Sequence, residues 1–241
     1  MKITDSIELV NEDAFDFLKK VESSSVDLIL TDPPYTISKV TGFEAGNNPD
    51  YDRLKISTQF GEWDNVIIDY DTMFKEFHRV LKKGGTAVIF YDLWKLSYIY
   101  ESSIQHKFKQ QRFIEWIKTN PVPINQSINY LTNSREIALT CIKGSNPTFN
   151  SKYDNGIYEF PIEHSKDRFH PTQKPLRLME ALIEKHSNEG DVVLDCFSGS
   201  CTTGVACVNS NRAFIGCELS EDFYDKSIQR LNRNIGLRKF I

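Results

Sequence analysis

A chain of 241 residues with 40% hydrophobic content is long enough for one α/β domain with a buried core, which excludes global disorder. No apolar run approaches the roughly 20 residues of a membrane helix, and the opening Met1-Lys2-Ile3-Thr4-Asp5 lacks the pattern of a secretory signal, so a cytoplasmic protein with no membrane partner is expected. The net charge of −4 weighs against a polyanionic partner only until its distribution is read. Residues 1–35 hold eight acids and three lysines, whereas residues 226–241 hold five basic side chains and no acid. Residues 101–178 hold eleven basic and seven acidic side chains, so a local basic face can still meet a polyanion.

In chain order, residues 7–10 read as a short strand, 14–20 as a helix by spacing, and 26–30 as a compact apolar strand. That strand runs into Asp32-Pro33-Pro34-Tyr35, where two prolines forbid helix and cannot donate to a sheet. Residues 36–62 have no period and read as a long mobile loop. An amphipathic helix is predicted over 70–81, closed by the C-cap signal Lys82-Lys83-Gly84-Gly85. Strand 86–91, helix 93–107 and strands 112–117 and 136–142 follow. Residues 143–169 are polar and irregular and read as a short recognition insertion. Helix 175–186, strand 191–196, a helix starting at 202, strand 213–217 and helix 222–234 complete the chain. Strands alternating with helices predict a single α/β domain over 1–241. Its expected form is a mostly parallel seven-stranded sheet with helices on both faces, and an antiparallel edge pair from 112–117 and 136–142.

The five cysteines, Cys141, Cys196, Cys201, Cys207 and Cys217, are odd in number and form no CxxC pair. They read as free, buried thiols, and no metal is expected.

Two segments carry chemistry. Asp195-Cys196-Phe197-Ser198-Gly199-Ser200-Cys201-Thr202-Thr203-Gly204 follows an apolar strand and opens a helix. Small residues there let the backbone approach a ligand at the carboxyl edge of a sheet. Glu218 ends the next strand, placed to accept hydrogen bonds from ribose hydroxyls. In Asp32-Pro33-Pro34-Tyr35, the Asp32 carboxylate and the Pro33 carbonyl are two acceptors for one amino group. The prolines, Pro34 included, hold the backbone rigid, and Tyr35 supplies a ring on which a base can stack. Drawing on both N–H groups of an exocyclic amine makes its nitrogen more nucleophilic, and positioning supplies most of the rate. Such a nitrogen is out of reach inside a duplex, so the base must be flipped out. Phe43, Tyr51, Phe60 and Trp63 of the long loop are candidates to cover it.

These residues resemble the β-class DNA amino-methyltransferases. The resemblance covers nearly the whole chain: the Asp-Pro-Pro-Tyr motif precedes the cofactor loop, and His170-Pro171-Thr172-Gln173-Lys174-Pro175, Gly61-Glu62-Trp63-Asp64 and Asn120-Pro121-x-Pro123 match further family segments. The resemblance implies a Rossmann-like methyltransferase fold and S-adenosylmethionine as cofactor. It implies Asp13 at the adenine end of that cofactor, Glu218 at its ribose, and Phe197, Gly199, Ser200, Thr202 and Thr203 around it beside Asp195. His170 and Asp32 fall near its methionine end. It further implies double-stranded DNA as substrate, a homodimer, a cognate restriction endonuclease as partner, and N6 of adenine as target. Cytosine-N4 methylation and a degenerate, non-catalytic cofactor- or DNA-binding module stay open as alternatives. Two positions depart from the pattern. Cys196 stands where the family has proline, and Cys201 where it has its second glycine. A side chain at 201 is expected to crowd the ligand or to demand a non-glycine backbone conformation.

Overall fold

The computed structural model describes residues 2–34, 68–121, 131–163, 168–170 and 172–238. Tyr35, the loop 36–62 with its aromatic residues, Trp63 and Pro123 lie outside the described residues, as do 164–167 and Pro171. Among the described residues, eight strands form one sheet in the order β1-β8-β7-β2-β3-β5-β4-β6. These are β1 Ile7–Asn11, β2 Val26–Thr31, β3 Leu81–Tyr91, β4 Phe108–Lys118, β5 Arg135–Lys143, β6 Ile157–Phe160, β7 Val192–Asp195 and β8 Ala213–Glu218. Neighbours from β1 to β3 are parallel, β5 is antiparallel to both β3 and β4, and β6 is parallel to β4. Strand β5 therefore runs alone against the other seven.

Alternation along the strands divides the core. Leu28 and Leu30 of β2, with Val88 and Phe90 of β3, pack on one face against helices α4 (Leu176–His186), α5 (Thr202–Ser210) and α6 (Glu221–Arg238). Ile29, Ala87 and Ile89 face the other side, towards α1 (Ala14–Lys20), α2 (Tyr70–Val80) and α3 (Leu96–Gln105). Fully buried Phe74 and Phe77 of α2 each contribute roughly 2–3 kcal/mol by leaving water. Side-chain caps set where helices start: Asp13 accepts from the Phe15 and Asp16 amides at 2.9 and 3.3 Å, and Asp69 from the Thr72 amide at 3.1 Å.

Three expectations need correction. Helix α2 ends at Val80, and Lys82–Gly85 belongs to β3 as a bulge, between the pairs Val26↔Leu81 and Leu28↔Thr86, with Gly84 at φ +86. The helix expected over 93–107 is a 3-10 turn, Leu93–Lys95, followed by α3. Finally, 143–169 is not wholly irregular. Strand β6 lies within it and borders β4, so the pair β4–β5 is antiparallel as expected but is not the sheet edge. The same segment is clamped to α4: the Asn150 side-chain amide donates to the carbonyls of Glu184 and Ser187, both at 2.9 Å, and Lys185 reaches Asp154.

Candidate active site

Strands β1, β8, β7 and β2 are parallel, so their carboxyl ends share one edge of the sheet. After β7 the chain steps outward to β8, and after β2 it steps the other way to β3. That divergence leaves a crevice above the β7–β2 junction, where open α/β sheets bind ligands. A cavity of about 540 Å³ occupies it. Asp13, Asp32, Pro33, Pro34, His170, Asp195, Phe197, Gly199, Ser200, Thr202, Thr203 and Glu218 all line this cavity. Segments separated by more than 160 residues thus meet in one place; of the catalytic and cofactor residues expected from sequence, Tyr35 lies outside the described part, as do the loop aromatics Phe43, Tyr51, Phe60 and Trp63.

The β7–α5 loop is held by its own polar groups. Asp195 accepts from the Thr31 hydroxyl at 2.7 Å, from the Thr203 hydroxyl at 2.6 Å and from the Phe197 amide at 3.2 Å, which ties β2, β7 and α5 together. Burial pushes its carboxyl up to about 6 against the pull of those donors. Glu218 accepts from the Gly199 amide at 2.7 Å and the Ser220 amide at 2.9 Å. Burial holds Glu218 above the usual carboxylate range in spite of these bonds. Gly199 has φ +50, a conformation that glycine adopts freely, and a Cβ there would stand 3.3 Å from Nε2 of His170, a tight contact with the imidazole. From α6, Ser227 donates to the Gly199 carbonyl at 2.9 Å, and the buried Arg230 donates to the Ser200 carbonyl at 2.8 Å and to the Thr202 hydroxyl at 2.9 Å.

Cys201 does not crowd the cavity. It keeps the left-handed conformation that glycine takes freely (φ 54, ψ 38), and its side chain is fully buried. Its Sγ occupies the space that a Cβ on Gly204 would enter, 2.5 Å from that point. The thiol is accommodated because residue 204 has no side chain.

The opposite wall differs. Oδ2 of Asp32 pairs with Nζ of Lys174, while Oδ1 is buried and has no hydrogen-bond partner. Both polar atoms of the Gln173 amide, in the same wall, are also buried without a partner. Lys174, 5% exposed, reaches Glu136 at 3.1 Å, and Glu136 reaches Lys118 at 2.8 Å. Burial raises the carboxyl of Asp32, and Lys174 offsets this only in part. Burial acts on Glu136 in the same direction, but the ammoniums of Lys174 and Lys118 outweigh it and hold that carboxyl below its usual range. His170, packed on Phe223 with ring centroids 4.4 Å apart, is held neutral: burial, with Lys174 and Arg168 nearby, pushes it down to about 4. Sequence reasoning quoted Gln173 and Lys174 within a block but gave them no role, and it passed over Glu136, Lys118 and Arg230. A charged residue in a strand or helix has no local signature of the partner it will meet.

A family described as DNA methylase matches residues 26–229. The Type II methyltransferase M2.DpnII of Streptococcus pneumoniae is 31% identical, over 92% of this chain and 88% of its own length. The DNA adenine methyltransferase YhdJ of Escherichia coli (strain K12) is 31% identical, over 93% of this chain and 82% of its own. Among solved structures, the M1.HpyAVI–SAM complex superposes with a TM-score of 0.70 at 30% identity, covering 94% of this chain and 99% of that one.

Proposed function

This chain belongs to the DNA methylase family, and on that premise we propose that it transfers a methyl group from S-adenosylmethionine to N6 of adenine in double-stranded DNA; YhdJ is named a DNA adenine methyltransferase, and the M1.HpyAVI complex names the cofactor. One observation carries the reading. The Asp32-Pro33-Pro34 segment and the Asp195–Thr203 loop, far apart in sequence, line a single cavity of about 540 Å³, within the size range of small-molecule sites. The residues fit the cofactor. At Gly199 a Cβ would press on the His170 ring at 3.3 Å, so the glycine keeps the backbone open beside the imidazole, and Glu218 keeps unused lone pairs beyond the two amides it accepts, which suit ribose hydroxyls. Asp13, His170, Asp195, Phe197, Ser200, Thr202 and Thr203 are proposed to complete the pocket.

S-adenosylmethionine, when bound, supplies a methyl group on a sulfonium. The protein's part is to bind, orient and exclude water. Oδ1 of Asp32 accepts one N–H of the flipped base's amino group, and the Pro33 carbonyl accepts the other. Both contacts favour a pyramidal nitrogen whose lone pair faces the methyl carbon. Tyr35 is proposed as the stacking surface. With the cofactor held by the Asp195–Thr203 loop and Glu218, its sulfonium would supply the methyl group to that nitrogen, and Oδ1 of Asp32 would take up the surplus proton. The orphaned Oδ1 supports this role, since a buried acceptor without a partner costs roughly 1–3 kcal/mol until something donates to it.

The test is transfer of a labelled methyl group to mixed-sequence duplex DNA, followed by digestion to nucleosides. N6-methyl-2′-deoxyadenosine is expected. N4-methyl-2′-deoxycytidine would overturn the adenine assignment, and cofactor binding without any transfer would leave only a binding module. We further propose a cytoplasmic homodimer that shares its target site with a restriction endonuclease. The exposed Trp94 and Tyr98 offer an apolar face for the dimer. Light scattering at a monomer mass would refute it.

A further inference from the structure

Four charged side chains form a line that ends in the site: Lys118, Glu136, Lys174 and Asp32. Their contacts are 2.8 Å for Lys118–Glu136 and 3.1 Å for Glu136–Lys174, with the Lys174–Asp32 pair closing the line. The signs alternate and sum to zero. A lone buried ammonium costs several kcal/mol, so Lys174 is tolerable only because a carboxylate stands on either side of it, with the Phe90 ring 5.0 Å from its Nζ. Asp32 is the terminal member. It has the single cation on Oδ2 and leaves Oδ1 open, one of three buried side-chain polar atoms without a partner among the described residues.

We propose that Lys174 is a positioning residue: by holding Oδ2 it fixes the Asp32 carboxylate as an anion in one orientation, with Oδ1 as the open acceptor for the target amino group. Glu136 stands on the far side of the lysine, with Lys118 beyond it. This rests on the reading of Asp32 as the acceptor of the amino group. A protonated Asp32 would offer a donor where an acceptor is needed, and burial favours that protonated form. The charged groups acting on Asp32 are Lys174, which opposes protonation, and Glu136, which favours it. Asp195, at the end of the neighbouring strand, also favours it by mutual repulsion. Without Lys174 nothing described offsets burial and the two acids.

The experiment begins with Asp32→Asn. Full activity in that variant removes the reading of the site itself, independently of Lys174. With Asp32 required, the pH dependence of kcat/KM is then compared for the wild type and Lys174→Met, with folding checked by thermal melting. The acidic limb is expected to move up by about one pH unit or more, as loss of an adjacent opposite charge implies, and activity is expected to recover at higher pH. A folded Lys174→Met with a lower rate but an unmoved limb overturns the proposal, because a merely structural lysine would lower the amplitude alone. If Lys174→Met does not fold, Glu136→Gln reads the same balance with opposite sign. It removes an anion and leaves Lys174 to Asp32, so its limb is expected to move down. An unmoved or raised limb there overturns the proposal equally.

Discussion

The two walls of the cavity are built on opposite principles. On the side of β7, β8 and α5, the carboxylates are satisfied before any ligand arrives: Asp195 by Thr31, Thr203 and the Phe197 amide, Glu218 by the amides of Gly199 and Ser220. On the side of β2, Oδ1 of Asp32 and the whole Gln173 amide are buried with no partner. The first wall is a rigid mould, and the second is completed by what it binds. A binding surface can be finished by folding alone. An acceptor meant to strengthen its grip as a reaction proceeds has to be left open.

Substitutions on the two sides should therefore fail differently. The largest effect is expected for Asp32→Asn: methyl transfer falls by roughly 10²–10⁴-fold, in the range for removing one preorganised group, while the melting temperature stays near that of the wild type because the amide oxygen can still accept from Lys174. A melting temperature that fell as steeply as activity would erase the contrast. Next is Asp195→Ala, expected to cost about 3 kcal/mol of stability by stranding the Thr31 and Thr203 hydroxyls, and to weaken cofactor binding along with it. Denaturant titration and calorimetry measure both. A variant stable as the wild type would show that the mould does not depend on this acid.

Acidity sharpens the comparison further. His170, in the wall, and His186, packed on Phe149 at the end of α4, are both pushed down to about 4 by burial, from an ordinary value of 6.5. Below pH 6.5 the unfolded chain binds protons that the folded chain refuses, so stability is expected to fall as pH drops from 6.5 to about 4, by up to about 1.4 kcal/mol per pH unit for each histidine. Asp195, raised to about 6 from 3.8, binds its proton more readily in the folded state and opposes the loss over most of that window, from pH 6 downward. Stability curves of His186→Leu should lose one proton's worth of this slope. The smallest effect is expected for Cys201→Gly. Relief of a left-handed backbone, worth roughly 1 kcal/mol, is offset by the buried thiol it removes, and cofactor affinity is unchanged because Cys201 does not line the cavity. A clear loss of affinity in titration would show that the thiol shapes the pocket after all.

Much of this was legible in the sequence, for identifiable reasons. The prolines after β2 and the glycine–serine turn after β7 are local devices, and each states its geometry within a few residues. Strand β6 was not legible, because the four residues Ile157, Tyr158, Glu159 and Phe160 are too short a run for a period, and they become a strand only by pairing with β4. Cys201 was misjudged for a related reason. Its neighbour in space, Gly204, was in plain view three positions along, but the direction of the thiol depends on how α5 packs against Phe214.

The sequence by itself determined the parallel α/β arrangement and named the two segments that meet in the cavity, because hydrophobic period, proline and glycine act through bonds close along the chain. Tertiary structure alone decided that Lys174 would be buried between Asp32 and Glu136, 142 positions from the first. Charge pairing acts through space, and its strength is set by burial that no stretch of sequence displays.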